Sequence, residues 1–267
     1  MRFSQYSFPG TSPQGFGMTI EQLKFVNHRI DEYALQVTYN PVADTGKVIF
    51  NLSLIREEDR PYAVDIIRAS NKAGICVSDR MLIAAAGEKI GEKTIPKGCC
   101  GIVTMCSITL DAILLRNGIP INPIGGGLLE IKNHTPHRFT SLIRYDATTI
   151  DPTQVMIDQG STGIMGVIQS GKGSILANIR ESHMEAEPLL FDILDQFASV
   201  GFTGILDVGS PNRTVFGVPV TTNYQGIVMI GGANPIAAFI ESGRWAETMA
   251  MKGLIPISRL VHIDDLV

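Results

Sequence analysis

The sequence lacks a long apolar run: its longest, residues 101–115, is broken by Asp111 and is too short to span a bilayer. The opening, MRFSQYSFPGTSPQGFGM, has one Arg but no apolar core behind it, so it does not read as a secretory leader, and the expected location is cytoplasmic. Basic residues are not in excess. Lys and Arg number 22 against 26 Asp and Glu, a net charge of −4, and no cluster is long enough to follow a phosphate backbone. Direct binding of nucleic acid by this chain alone is therefore not expected. Cysteine is sparse. The four present, Cys76, Cys99, Cys100 and Cys106, all lie in the first half, which suits buried or functional thiols and not a disulfide framework. Joined to His134 and His137 they do not reproduce tetrahedral zinc spacing, so no metal site is expected.

What the sequence does have is 45% apolar residues, enough for a sizeable core, and an internal repeat. GIVTMCSITLDAILLRNG (101–118) and GIVMIGGANPIAAFIESG (226–243) stand 125 positions apart at both ends. Each reads as a buried strand that turns through small residues into a helix. The repeat widens to 46–118 and 171–243. In the first copy KVIFNLSL is a strand, 57–73 a helix with Ala63, Ile66, Ile67 and Ser70 inward, and 75–83 a second strand. In the second, 174–180 is the strand and 185–200 the helix, with Leu189, Leu190, Ile193, Leu194 and Phe197 inward. Ile55-Arg56-Glu57 matches Ile179-Arg180-Glu181, and Pro61 matches Pro188. A short strand ending at Ile95-Pro96 or Val218-Pro219 precedes each Gly-Ile-Val strand.

The expected fold class is thus α/β (α+β): two pseudo-symmetric β-α-β-β-β-α halves forming one domain over 19–267 around a central cleft. Residues 1–18 read as a flexible lead-in, and Thr19 to Gln22 has capping-box spacing ahead of a helix over 19–37 with Ile20, Leu23, Ile30, Tyr33, Ala34 and Val37 on one face. Between the copies, Gly125-Gly126-Gly127 reads as a turn, 128–131 and 139–145 as strands, and Asp151-Pro152 as a helix start.

Helix N-termini leave amide N–H groups free to hold an anion, and this chain has that device twice. In the first, Cys106 and Ser107 sit at the turn, with Ser107 placed as N-cap and Cys106 at the positive end of the dipole. In the second, Gly231 and Gly232 precede Asn234 as cap and Pro235 at the first helical position. Gly166 and Gly171-Lys172 have phosphate-loop spacing, but Gly173 stands where Ser or Thr is needed, so a hairpin turn is expected there. No base is fixed in sequence against Cys106 or Ser107, which favours binding over catalysis. The alternative is an enzyme acting on a small carboxylate with Cys106 as nucleophile.

The blocks FVNHRIDEYALQVTYNP…GKVIFNLSLI, IVTMCSITLDAILLRNGIPINPIGGGLLEI, GKGSILANIRE and GGANPIAAFIESG together resemble the effector-binding regulatory domain of the archaeal nitrogen repressor family, NrpR. The resemblance runs from Phe25 to Gly243. It implies a non-enzymatic transcription regulator of nitrogen assimilation genes whose effector is 2-oxoglutarate, with no other cofactor. It also implies effector contacts at Thr104, Cys106 and Ser107, at Gly125, Gly126 and Gly127, and at Gly231, Gly232 and Asn234. No winged-helix segment stands before this region in the sequence, so the expectation is either a shortened chain or the stand-alone form, a homodimer acting through a DNA-binding repressor relative. Arg56, Arg144, Arg180 and His134 are the candidate cations for the effector's carboxylates.

Overall fold

The structure, a computed structural model, describes residues 23–266. After helix α1 (Val26–Ala34) the first copy supplies β1 (Lys47–Arg56), α2 (Arg60–Lys72), β2 (Arg80–Ala84), the two-residue strands β3 (Lys89–Ile90) and β4 (Lys93–Thr94), β5 (Cys99–Met105) and α3 (Ile108–Arg116). A connecting region holds β6 (Ile121–Lys132), β7 (Thr135–Arg144), α4 (Pro152–Asp158) and α5 (Ile164–Ser170). The second copy follows as β8 (Gly173–His183), α6 (Glu187–Ser199), β9 (Ile205–Val208), β10 (Tyr224–Ile230) and α7 (Asn234–Glu241), and β11 (Ala246–Pro256) and β12 (Val261–His262) close the chain.

Ten of the strands form two antiparallel five-stranded sheets, ordered β11-β1-β5-β2-β12 and β7-β6-β8-β10-β9, and β3 pairs with β4 alone. The core of one maps onto the other: β1, β5 and β2 correspond to β8, β10 and β9. The strand after each helix changes sides. β6, which follows α3 of the first copy, pairs with β8 of the second, and β11, which follows α7, pairs back onto β1. Neither sheet is complete without a strand from the other half, so the two copies are locked into one body.

Burial explains why the inner elements show no simple alternation. Every residue of β1 from Val48 to Ile55 is buried, because both faces of this central strand are covered. Helices α3 and α7 have almost no polar face, and Ile108 to Leu114 and Asn234 to Phe239 are buried on all sides, the mark of a helix inside the core.

Several sequence expectations need correction. Strand pairing sets Asn51 opposite Thr104 and Asn178 opposite Met229, so the copies align with Asn51 on Asn178, and the Ile-Arg-Glu match of the sequence is out of register by three residues. Gly125, Gly126 and Gly127 lie inside β6 and not in a turn. A Cβ on Gly127 would fall 1.9 Å from the Ser141 carbonyl oxygen and one on Gly125 2.5 Å from that of Ile143, so bare backbone is what lets β7 lie this close. The Gly166–Lys172 stretch is the end of α5, capped by Gly171 at φ 68°, and not a hairpin turn. The first helix starts at Val26, leaving Leu23 exposed, and the capping-box residues lie outside the described residues. The strand expected over 75–83 forms only from Arg80. The strand expected before each Gly-Ile-Val segment is the β3–β4 hairpin in one copy and a single bridge, Val215 to Val218, in the other. Leu189, expected inward on α6, is exposed.

Candidate functional site

The two helix-start turns meet. Cys106, Ser107 and Ile108 at the head of α3, and Gly231, Gly232 and Ala233 at the head of α7, line one small cavity that is partly open to solvent. They occupy equivalent places in the two copies. Helices α3 and α7 each follow a central strand of their own sheet, and the reciprocal strand exchange draws their N-termini to a common centre.

Each turn lies against an asparagine from the other copy's inner strand. Asn178 on β8 donates through Nδ2 to Ser107 Oγ at 2.8 Å. Its counterpart Asn51 on β1 lies against Gly232, where a Cβ would come 2.5 Å from Asn51 Nδ2 and 2.5 Å from the Met105 carbonyl oxygen. Only glycine admits this approach. Asn51 donates to Thr104 Oγ1 at 3.2 Å and accepts from the Met251 amide at 3.1 Å. The latter bond comes from a bulge: between Phe50 and Leu52 the partner register on β11 jumps from Gly253 to Met249, and Met251 takes φ 46°. Asn178 is less satisfied, for its buried Oδ1 has no hydrogen-bond partner among the described residues.

The electrostatics of the cavity come from backbone, amide and one carboxylate. Among the described residues no Lys, Arg or His lines it. Asp151 does, as the N-cap of α4, accepting from the Thr153 amide at 2.8 Å; burial pushes its carboxyl up against the pull of that amide. Behind Asn178 on the same strand stands Arg180, fully buried, with Nε 2.6 Å from Asp111 Oδ1 of α3. Burial pushes Asp111 up to about 6, and the attraction of Arg180 offsets this only in part. The other candidate cations point elsewhere: Arg56 and Arg144 pair with Glu58 and Asp146 at the surface, and His134 packs on Gly171.

Of the residues read from sequence, Cys106, Ser107, Gly231 and Gly232 line the cavity. Thr104 stands behind it as the partner of Asn51. Asn234 does not cap α7 or face the cavity; Ala233 is the N-cap, and the buried Asn234 side chain accepts from Leu176 N at 2.8 Å and donates to Leu176 O at 3.1 Å. That ties α7 to β8. Gly125 to Gly127 do not line the cavity, although Gly126 lies under Tyr145, which does. Ser107 holds the N-cap position, but its hydroxyl is turned to Asn178 and not to the helix. Cys106 is buried, and burial pushes its thiol up to about 12 despite the Ile108 amide. It is a protonated packing group and not a thiolate nucleophile. Sequence reading missed Asn51, Asn178, Tyr145, Asp151 and Met251. The signal for the first two was a polar residue inside an otherwise apolar strand in both copies. No group of His, Cys, Asp and Glu suited to a metal occurs among the described residues.

Comparison with known proteins agrees in family. The model of a family described as NrpR regulatory domains NRD1 and 2 matches residues 23–262. The global nitrogen regulator NrpRI of Methanosarcina mazei is 35% identical over 243 residues, covering 91% of this chain and 75% of that protein. The global nitrogen regulator NrpR of Methanococcus maripaludis is 30% identical over 230 residues, covering 86% of this chain and 39% of that one. Among solved structures, the crystal structure of a nitrogen repressor-like protein from Methanococcus jannaschii superposes with a TM-score of 0.77 at 29% identity, covering 91% of this chain and 100% of that one.

Proposed function

Because the chain belongs to the NrpR family of nitrogen regulators, we propose that its central cavity binds 2-oxoglutarate and that the bound acid changes the protein's contact with a DNA-binding repressor partner. The family and these relatives are regulators of nitrogen genes and not enzymes. No described helix is long and apolar enough to cross a membrane.

One observation carries the reading: two helix N-termini from equivalent parts of a duplicated chain open into one cavity. Partial positive charge at each suits an anion with two charged ends, and a closed two-carboxylate acid is such an anion. Asn178 suits it too. A serine hydroxyl both donates and accepts, so the amide can turn over, hand Oδ1 to Ser107 and present its NH2 to the ligand.

The strand exchange supplies the route outward. Each turn is continuous, through its helix, with a strand of the opposite sheet. A ligand that draws the turns together therefore moves both sheets, and in a homodimer it would re-set the surface offered to the repressor partner. α7 extends the effect, since Glu241 at its far end accepts from the amides of Ile164 and Met165, both at 2.8 Å, and so holds α5.

Calorimetry with purified protein tests this. The expected result is one 2-oxoglutarate bound per chain; no heat at millimolar concentration, with and without a repressor partner, would remove the proposal.

A further inference from the structure

A second hollow lies outside the central cavity, between α1, the turn of the β3–β4 hairpin and β11. Its volume is about 550 Å³, within the usual range for a small-molecule site. α1 and β11 serve both spaces: Ile30 and Met251 line the central cavity, while Arg29, Tyr33 and Lys252 line this one. Gly91 of the hairpin turn and Gly253 of β11 also line it, each set over the Phe50 ring, where a Cβ would come 3.2 Å and 3.1 Å from ring carbons. That part of the lining is bare backbone.

The charges that line it are only partly matched. Among the described residues every other partly or fully buried arginine has a carboxylate partner, whereas the partly buried Arg29 has no side-chain hydrogen bond or ion pair. Asp151 feels its charge through space without pairing to it. Lys252 is likewise partly buried and, among the described residues, unpaired. Glu92, exposed on the hairpin turn, has no cationic partner among them either. Lys24 and Glu32, which complete the charged lining, neutralise each other at 2.6 Å. Tyr33 lies within reach of both kinds of open charge: burial raises its hydroxyl pKa, Arg29 pulls it down and Glu92 pushes it up. Two positive charges and one negative are therefore left to be matched.

We propose that this hollow is a second ligand site, for an acidic amino acid, with Arg29 and Lys252 taking its two carboxylates and Glu92 its ammonium group. Two carboxylates and one ammonium are the complement of the open charges. The Arg29 guanidinium is a planar fork that holds one carboxylate through two bonds, and Lys252 is a point charge for the other. A diacid without the ammonium sets its own charge against Glu92, and an amino acid with one carboxylate leaves a cation unmatched. The site is independent of what the central cavity binds.

The test is a titration of the isotope-labelled full chain, free of other acids, with L-glutamate, glutarate and 4-aminobutanoate, followed by amide chemical shifts. L-Glutamate is expected to move the amides of Gly91 and Gly253 along one binding curve, and the two analogues, each lacking one charged group, to bind at these positions about tenfold more weakly or less. Arg29→Gln removes a side chain that holds nothing in the fold, so it should melt like the parent and lose about tenfold or more for L-glutamate. Glu92→Gln should bring L-glutamate and glutarate to equal affinity. Gly91 and Gly253 unmoved by L-glutamate at tens of millimolar overturn the site, as does parent-like binding in Arg29→Gln. Glutarate binding the parent as well as L-glutamate overturns the class of ligand. L-Glutamate shifts at Ser107 and Gly232 in place of Gly91 and Gly253 overturn the outer site and leave the reading of the central cavity to its own titration with 2-oxoglutarate.

Discussion

Asn178 of β8 donates to the Ser107 hydroxyl at 2.8 Å across the boundary between the two copies, while its equivalent Asn51 faces Gly232, where no hydroxyl exists. The pseudo-symmetry is thus broken at its centre. One asparagine is spent on structure through Thr104 and Met251, and the other keeps an unpaired oxygen at the cavity. Ser107→Ala removes the partner of a buried amide and is expected to cost about 1–3 kcal/mol. A denaturation cycle of Ser107→Ala, Asn178→Ala and the double variant should give a coupling of about 1 kcal/mol. Strict additivity would mean that the bond holds nothing.

Gly232 should tolerate no side chain. A methyl group there would sit 2.5 Å from both Asn51 Nδ2 and the Met105 carbonyl oxygen, and the latter is backbone that cannot swing aside. Gly232→Ala is expected to destabilise by about 1–3 kcal/mol and to abolish effector binding by forcing the two turns apart. Thermal melts and calorimetry on the same preparation check both halves of this statement.

Glu241 closes the link between α7 and α5. Its two oxygens accept the Ile164 and Met165 amides that open α5, so Glu241→Ala leaves both donors without a protein acceptor. A loss of about 1–2 kcal/mol is expected, a drop of roughly 2–8 °C in Tm for a domain of this size. Hydrogen exchange should rise first at residues 164–166.

Stability should fall as pH rises above about 9. Burial pushes the thiols of Cys76 and Cys106 up to about 12 and that of Cys100 up to about 11, and it raises the hydroxyls of Tyr39 and Tyr145 as well. The unfolded thiols ionise near 9.0, so between that value and 11 to 12 the unfolded state holds fewer protons and gains on the folded one. Urea midpoints measured from pH 8 to 10 should decline steadily. For the same reason iodoacetamide at pH 8 should label Cys106 at least a hundredfold more slowly than free cysteine.

The duplicated Gly-Ile-Val blocks made the repeat, its helices and the convergence of two anion-type turns legible in the sequence, because those features are local. The exchange of β6 and β11 was not legible, since a strand that follows a helix looks the same whichever sheet it joins. Asn51 and Asn178 were hidden for a related reason. The Ile-Arg-Glu tripeptides invite an alignment three residues out, and only backbone pairing places the asparagines together. Gly125 to Gly127 misled because three glycines signal a turn, whereas here they admit the neighbouring β7 backbone. Asn234 misled because an asparagine before a proline has the chemistry of a cap, and the fold uses that chemistry on Leu176 instead.

Amide chemical shifts of the isotope-labelled protein during titration with 2-oxoglutarate test the shared cavity most directly. The account predicts that Ser107 and Ile108 move together with Gly232 and Ala233 along one binding curve, with Asn178 side-chain resonances following. Shifts confined to one of the two turns, or gathered on a surface remote from both, would contradict it.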